Sequence, residues 1–249
     1  VIVSCTGYNK VLKSTDYEFK LTKADEYYNK KDFYKAMTLY EELMTIYKGT
    51  DKAEQIYYRY SYCYYYEKEY ISAGYHFDMF AKTFPNSIFT EEATFMVAYC
   101  YVLNSPNPNL DQSDTNKGIE AFQYFVNKYP LSTRLDEANE MMDLLRRKLE
   151  TKVYNSAKLY FKLGDYLAAT IIIKNILNDF PDTKYREELI FMSLKSHYLY
   201  TTNSVLAKQK ERYQNVVNEY YALVDEFPQS RYSKEAEKYY SRSIEEIKK

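Results

Sequence analysis

The stretch Ile56–Pro85 reads IYYRYSYCYYYEKEYISAGYHFDMFAKTFP. Large side chains recur in it at intervals of three and four residues, on both sides of a charged break at Glu67–Glu69. This spacing predicts two amphipathic helices joined by a short turn. A hairpin of this size cannot bury its own apolar face, so several copies must stack to form a continuous core.

The closing signature of this stretch, an aromatic residue followed by proline, returns three more times along the chain. The four copies are Phe84-Pro85, Tyr129-Pro130, Phe180-Pro181 and Phe227-Pro228. Only five Gly and six Pro occur among 249 residues, a composition poor in turns and typical of an ordered helical protein. We therefore predict an all-α array of about five helical hairpins, closed by a charged capping helix at Ser233–Lys249.

The second hairpin also carries the spacing of a known repeat. It begins with a small residue, continues with four aromatic or small residues at set intervals, and ends with a proline. This order matches the tetratricopeptide pattern of about 34 residues. The matching positions are Ser61, Tyr64, Tyr70, Ala73, Phe77 and Pro85. The chain thus resembles tetratricopeptide-repeat proteins, which implies a tetratricopeptide-repeat solenoid.

Three departures from a regular array are predicted. Residues Asn104–Thr115 form a turn-rich insert within the third hairpin. An extra amphipathic run, Leu135–Leu149, continues toward the next helix without a strong breaker, so a long helix joins the two halves. In the fifth hairpin, we expect a break at Thr201–Ser204 and a long second helix from Gln209 to Phe227.

Composition and motifs exclude several classes of function. A formal net charge of -1, with no dominant basic stretch, argues against nucleic-acid binding. No run approaches the roughly 18 to 20 apolar residues of a membrane-spanning helix. The only histidines, His76 and His197, lie in different repeats, and the commonest catalytic signatures are absent. We predict no enzymatic activity, no cofactor, no metal site and no small-molecule substrate.

The three cysteines have different predicted roles. Cys63 and Cys100 occupy equivalent positions of successive repeats, where we expect small buried packing residues rather than a disulfide. The segment Ile2–Cys5 resembles the bacterial lipobox, in which the cysteine carries a diacylglycerol. We therefore expect lipidation at Cys5, with residues 1–16 comprising a signal-peptide remnant, the lipidated cysteine and a linker.

A lipobox followed by five such repeats resembles the BamD family of outer-membrane assembly lipoproteins, the tetratricopeptide subunits of the β-barrel assembly machinery. Three stretches carry the resemblance beyond generic repeats: Asp111–Asp114 before Gly118–Phe122, Tyr160–Ala169, and Phe180–Thr183. Membership implies a lipid-anchored protein on the periplasmic face of the bacterial outer membrane. Repeats 1–3, in residues 17–130, would meet unfolded outer-membrane protein precursors. Repeats 4–5 and the capping helix, in residues 131–249, would dock on the barrel subunit.

The 32 tyrosines divide into two predicted roles. Tyr57, Tyr60 and Tyr64 lie on the packing face of their helix, whereas the opposite face corresponds, by the tetratricopeptide resemblance, to a concave groove. Tyrosine suits such a groove because it offers large apolar area and a hydroxyl group. The predicted peptide groove comprises Tyr28, Tyr58, Tyr62, Tyr65, Tyr66, Phe95, Tyr99 and Tyr154. The alternative is that these rings pack against neighbouring helices or the N-terminal segment.

Two other functions stay open at this point. One is a tetratricopeptide lipoprotein scaffold for cell-wall or division proteins, which shares the repeats but not the three stretches quoted above. The other is glycan capture by a nutrient-uptake lipoprotein, since aromatic platforms stack on sugars. Those proteins carry large non-repeat insertions and Trp-rich platforms, whereas this chain has no Trp and a longest insert of about a dozen residues.

Overall fold

The computed structural model describes the backbone of residues 4–249 and the side chains of residues 7–249. Over these residues the chain is all-α. The helices are α1 (Ser4–Leu12), α2 (Tyr17–Asn29), α3 (Phe33–Ile46), α4 (Ala53–Tyr66), α5 (Tyr70–Thr83), α6 (Thr90–Asn104), α7 (Ser113–Lys128), α8 (Leu135–Leu163), α9 (Tyr166–Asp179), α10 (Arg186–Thr202), α11 (Leu206–Glu226) and α12 (Ser233–Lys248).

These helices confirm the predicted tetratricopeptide fold class. Hairpins form from α2 and α3, α4 and α5, α6 and α7, and α10 and α11. The C-terminal part of α8 pairs with α9 through the buried side chains of Ala157 and Ile173, and α12 follows as the terminal helix. The chain divides into two compact units, Val1–Arg146 (unit 1) and Arg147–Lys249 (unit 2). The boundary lies within α8, whose 29 residues confirm that the run Leu135–Leu149 continues into the next helix. The predicted halves divided at residue 130, before this helix, and their separate functions stay a prediction.

The turns inside the first, second and fourth hairpins share one backbone conformation. Lys31, Lys68 and Gly164 each have a positive φ, of 61°, 64° and 80°, and each lies two residues before a second helix begins. A left-handed residue ends a helix sharply, and glycine adopts this conformation without the steric cost that a Cβ brings. Repeats 1 and 2 therefore use lysine where the fourth repeat uses the favoured glycine.

Two buried clusters form the core of unit 1. One is built around Leu39, Tyr40 and Ile56, and the other around Phe77, Phe80 and Phe122. Tyr57 and Tyr64 pack against both clusters, and buried Tyr60 brings its hydroxyl within 3.1 Å of the Tyr64 hydroxyl. The predicted packing role of these three tyrosines is confirmed.

The side chains of Cys63 and Cys100 are buried and unpaired, as predicted. Burial raises the pKa of both thiols to about 12, because the thiolate would lose its hydration. Neither side chain is a ready nucleophile. The lipidation predicted at Cys5 concerns a side chain that lies outside the described residues.

A buried lysine was missed by the sequence analysis. Lys20 is 1% exposed, and its ammonium donates to both carboxylate oxygens of Glu42 at 2.8 and 2.9 Å and to the Leu12 carbonyl at 3.0 Å. A buried charge requires such partners, because the loss of hydration is otherwise uncompensated. These bonds join the end of α1 to α2 and α3.

The core of unit 2 contains two smaller clusters. Ala157, Ile173 and Leu189 centre one of them, which joins α8, α9 and α10. Leu194, Val216 and Ala236 centre the other, which joins α10, α11 and α12. The terminal helix buries Ala236 and Ser243 while most of its surface is polar, as expected of a cap.

Two predicted boundaries were wrong by a few residues. The third hairpin's insert ends before Ser113, because Gln112 binds the Asn107 and Leu110 carbonyls and accepts a bond from Thr115, which organises the helix start. Helix α11 begins at Leu206 rather than Gln209. The Gln209 amide donates to the Ser204 carbonyl at 2.8 Å, so this side chain folds back over the break.

Candidate protein-interaction surface

A repeated ring stack joins the first helices of successive repeats. Tyr58 of α4 stacks on Phe89, which directly precedes α6, with a centroid distance of 4.4 Å. The same contact recurs in unit 2 between Tyr154 and Tyr185 at 3.8 Å and between Phe191 and Tyr232 at 4.3 Å. At Phe95 a guanidinium replaces the ring, since Arg134 lies 3.4 Å from the Phe95 centroid. We refer to Tyr58, Phe95, Tyr154 and Phe191 as the stacking positions.

The stacking positions include three residues that were predicted to line the groove, Tyr58, Phe95 and Tyr154. Phe95 is completely buried and Tyr154 is 7% exposed, so neither ring lines an open surface. Tyr58 is half-buried, and burial raises its pKa to about 12. These rings are buried because the residue just before the first helix of the next repeat stacks on each of them. These rings join adjacent repeats, which is the packing alternative that the sequence left open.

Four residues after each stacking position lies a second equivalent position, occupied by Tyr62, Tyr99, Lys158 and Lys195. We refer to these as the tether positions. The Tyr62 hydroxyl donates to Glu92 Oε1 at 2.6 Å, Lys195 lies 2.8 Å from Glu235, and Lys158 lies 3.5 Å from Glu188. These glutamates lie in the first turns of α6, α10 and α12, respectively, for Glu92, Glu188 and Glu235. Tyr62 is therefore 9% exposed and is a structural contact rather than a free groove residue.

The remaining predicted groove residues converge on one surface. Tyr28, Tyr65, Tyr66 and Tyr99 lie toward the C-terminal ends of α2, α4 and α6. Tyr66 is 45% exposed, and its ring centroid lies 5.4 Å from that of Tyr65 and 6.3 Å from that of Tyr28. Tyr65 extends the surface to Tyr99 at 6.5 Å. These four residues, together with Phe33, form what we call the aromatic patch.

Phe33 was not predicted to belong to this surface. It is the first residue of α3, and its ring stacks on Tyr66 at 4.4 Å with an interplanar angle of 20°. The signal that could have found it is the recurring aromatic residue at the start of each second helix, since Tyr70 and Tyr166 are its equivalents.

Charged side chains hold one edge of the aromatic patch. The Arg59 guanidinium lies 5.5 Å from the Tyr28 centroid and pairs with Asp25 at 2.5 Å, while the Tyr40 hydroxyl donates to the same carboxylate at 2.6 Å. Burial raises the pKa of Tyr28 well above its usual range. Its rings offer apolar area and hydroxyl groups, which suit apolar and aromatic side chains and main-chain hydrogen bonds.

Other candidate chemistry does not converge. His76 and His197 lie in different units, and burial lowers the pKa of each imidazole. Across the described residues, no group of three or more His, Cys, Asp and Glu side chains could hold a metal ion. In the same part of the chain, no helix combines the length and apolar composition needed to cross a bilayer.

Comparison with known proteins gives one family match and weaker individual similarities. The sequence model of the family YfiO, described as an outer membrane lipoprotein, matches residues 16–214. The outer membrane protein assembly factor BamD of Caulobacter vibrioides is 24% identical over 136 residues, covering 55% of this chain and 45% of that protein. A BamD relative from Aquifex aeolicus is 24% identical over 155 residues, covering 62% and 50%.

The chain thus spans about half the length of the curated relatives it matches. Among solved structures, the yeast Sti1 structure titled TPR2AB-domain:pHSP90-complex is similar, with a TM-score of 0.42 and 11% identity. That similarity covers 92% of this chain and 98% of the Sti1 chain.

Proposed function

Because the chain belongs to the YfiO family of outer membrane lipoproteins, we propose that it is a scaffold subunit of the machinery that assembles β-barrel proteins in the outer membrane. The family match and the two curated relatives, named for assembly factors, support this proposal. In it, a lipid on Cys5 holds the protein at the periplasmic face of the outer membrane. The protein acts by binding polypeptides, without a catalytic step.

The aromatic patch of unit 1 is the observation that carries the client-binding part. Precursors of barrel proteins present alternating aromatic and apolar side chains in an extended chain. Neutral rings with few rotatable bonds bind such side chains at a low entropic cost, and the hydroxyl groups accept or donate bonds to the main chain. Stacking on Phe33 and contacts with Tyr28 and Tyr65 already hold Tyr66 in place. A preorganised patch of this kind accepts a class of segments rather than one sequence.

A second partner is assigned to unit 2 in this proposal. Its repeats and terminal helix dock on the periplasmic domains of the barrel subunit. Unit 2 has its own buried core, so it can present a surface that is independent of client binding in unit 1. Substitutions in the aromatic patch should consequently leave docking on the barrel subunit intact.

Client binding can be tested by crosslinking the full chain to a peptide from the C-terminus of a barrel precursor. We expect the triple variant Tyr65→Ala, Tyr66→Ala, Tyr99→Ala to weaken the complex at least about fivefold, since ring contacts contribute about 0.5 to 1.5 kcal/mol each. The matched control is Tyr124→Ala, which removes a ring that is 56% exposed on α7. Equal crosslinking of the triple variant and the control, with helix content unchanged in both, would refute the assignment.

Affinity purification from native membranes tests the partner. Recovery of a barrel protein with periplasmic polypeptide-transport domains supports the assembly function, and recovery of a cell-wall synthase in its place contradicts it. Intact-mass measurement of the native protein tests the anchor separately. An unmodified Cys5 would remove the lipid from the proposal while leaving the assembly function open to the other two experiments.

A further inference from the structure

A cleft in unit 1 has no part in the proposed function. It is bordered by α5, α6 and α7 and has a volume of about 450 Å³. This volume lies within the range of small-molecule sites, about 300 to 1,000 Å³. Three tyrosines line the cleft, Tyr70 and Tyr75 from α5 and Tyr101 from α6, and none of its lining residues belongs to the aromatic patch. We call it the tyrosine cleft.

Tyr75 presents an open ring to the tyrosine cleft. Its side chain is 59% exposed, and its ring lies at 76° to that of His76, with the centroids 5.2 Å apart. Among the described residues, no other ring stacks face to face on Tyr75. Tyr66 of the aromatic patch differs, since its ring is already stacked on Phe33. The Tyr75 ring therefore offers an apolar face to a ligand.

The floor of the tyrosine cleft is also apolar. Val97 and the buried Cys100 line it from α6, and Gly74 lines it from α5. A Cβ atom at Gly74 would lie 3.4 Å from the Cys100 Cβ atom. The glycine therefore leaves open a space between the two helices that any other side chain would occupy.

Hydrogen-bonding side chains lie around this apolar surface on all three helices. They are Asp78 of α5, Asn104 of α6, and Asp114 and Lys117 of α7. The Asn104 amide donates to the Asp114 carboxylate, and the Lys117 ammonium lies 3.4 Å from the same group. Amide, ammonium and carboxylate groups together supply both donors and acceptors. The tyrosine cleft thus has a polar rim that is not confined to one side.

The charges of this rim balance. Asp78 pairs with Lys82 at 2.6 Å, and Asp114 pairs with Lys117 at 3.4 Å. Two carboxylates therefore face two ammonium groups, which leaves no local excess of charge to attract an ion. Each carboxylate has two oxygens and can accept further bonds from hydroxyl groups. The rim is consequently suited to a neutral ligand that is rich in hydroxyl groups.

We propose that the tyrosine cleft binds a neutral saccharide of about two rings. One pyranose ring lies on the Tyr75 ring, and its hydroxyl groups bond to the polar side chains of the rim. A pyranose combines an apolar C–H face with hydroxyl groups around its circumference, and each hydroxyl both donates and accepts. It therefore matches an apolar surface surrounded by uncharged and charge-balanced hydrogen-bonding groups. Tyrosine provides here the aromatic platform that Trp provides in other sugar-binding proteins.

An extended peptide matches the tyrosine cleft less well. Its main-chain donors and acceptors lie along its two edges, and its successive side chains point to opposite sides. Such a chain does not surround one apolar face with hydrogen-bonding groups. The inference goes beyond the proposed function, since it concerns neither the binding of precursors nor docking on the barrel subunit. The saccharide is bound and is not converted.

The test is a ligand-observed NMR titration of the full-length protein with cellobiose and N,N′-diacetylchitobiose, two neutral disaccharides with different substituents. A capped, uncharged tetrapeptide of Ala and Pro serves as the comparison ligand. We expect at least one disaccharide to bind with a dissociation constant of about 1 mM or lower, with saturation transfer from aromatic protons to its C–H groups. No saturable binding of either disaccharide up to about 10 mM, or tighter binding of the tetrapeptide, would overturn the proposal.

Protein variants locate the binding. Tyr75→Ala should weaken the saccharide complex about fivefold, whereas Tyr75→Phe should stay within about twofold because the ring is kept. Asp78→Ala should also weaken it about fivefold, since an acceptor is lost from another part of the rim. The control is Tyr124→Ala, which removes a ring that is 56% exposed on α7 and does not line the cleft. Equal affinity of Tyr75→Ala and the control would refute the assignment to the tyrosine cleft.

The same variants separate this inference from the proposed function. Tyr75→Ala should leave crosslinking to the barrel-precursor peptide unchanged, because Tyr75 is outside the aromatic patch. Loss of saccharide binding in a protein that still binds the peptide supports a separate site. Parallel loss of both ligands in Tyr75→Ala would contradict it.

Discussion

The tyrosine-rich core should make unit 1 unusually sensitive to alkali. Tyr40, Tyr60 and Tyr62 are 0%, 3% and 9% exposed, and burial raises the pKa of each phenol well above its usual range. In the unfolded chain the same phenols ionise near pH 10. A group whose pKa is raised by folding contributes full stability below its unfolded pKa. That contribution is lost as the pH rises from there toward the folded pKa.

The size of the loss follows from linkage. One pKa unit corresponds to about 1.4 kcal/mol, so each buried phenol lowers the free energy of unfolding by about 1.4 kcal/mol at pH 11 and about 2.7 kcal/mol at pH 12. Together, the three phenols lower the free energy of unfolding by about 4 kcal/mol at pH 11 and by about 8 kcal/mol at pH 12. Since domains are stable by about 5 to 15 kcal/mol, unit 1 should unfold cooperatively between about pH 11 and pH 12. Partly exposed rings such as Tyr57 add to this loss, but less than a fully buried ring would.

The assay combines phenolate absorbance with far-ultraviolet circular dichroism during an alkaline titration of the full chain. We expect a gradual rise in absorbance from exposed tyrosines, then a steep rise that coincides with loss of helix. Tyr60→Phe should reduce the dependence of stability on pH by about 1.4 kcal/mol per pH unit, because it removes one of the three phenols. The control is Tyr124→Phe, at an exposed position. Smooth ionisation of all tyrosines with the helices intact to pH 12 would refute the reasoning.

Two stability predictions concern particular side chains. Glu42→Ala should cost about 3 kcal/mol in urea unfolding because it leaves the buried Lys20 ammonium without its carboxylate, whereas Lys20→Met should cost less than about 1.5 kcal/mol because Glu42 can be hydrated; equal losses would contradict the burial argument. Lys31→Gly should raise the free energy of unfolding by about 0.5 to 1 kcal/mol, since glycine tolerates the positive φ at that turn. Lys30→Gly, one residue earlier at a negative φ, should lower it, and a gain in both variants would contradict the conformational explanation.

The periodicity of the sequence predicted the helical hairpins, because intervals of three and four depend only on residues within one helix. It also separated the packing tyrosines from the opposite face of α4. It did not show that Phe89 covers Tyr58, or that Tyr185 covers Tyr154. The covering residue comes from the next repeat, and the insert at residues 105–112 and the longer α11 change its distance along the chain. The register between repeats is a property of packing, which a single helix does not encode.

Buried polar contacts were equally out of reach of the sequence. Lys20 lies in α2, and nothing in the neighbouring sequence distinguishes it from the exposed lysines around it. Its partner Glu42 is on another helix, and the Leu12 carbonyl belongs to a third. A lysine is buried only where several helices supply its hydrogen bonds together. Such a position becomes recognisable only once the helices are packed.

The stacking positions give a register in which equivalent residues of different repeats can be compared directly. At three of the four tether positions, a glutamate from the next helix along the chain receives the side chain, namely Glu92, Glu188 and Glu235. The tether residue itself changes from tyrosine in unit 1 to lysine in unit 2. A structural contact alone would be satisfied by either residue in both units, since both donate to a carboxylate. The change from tyrosine in unit 1 to lysine in unit 2 is therefore not required by these tether contacts, and it agrees with the separate client-binding and docking surfaces that we propose for the two units.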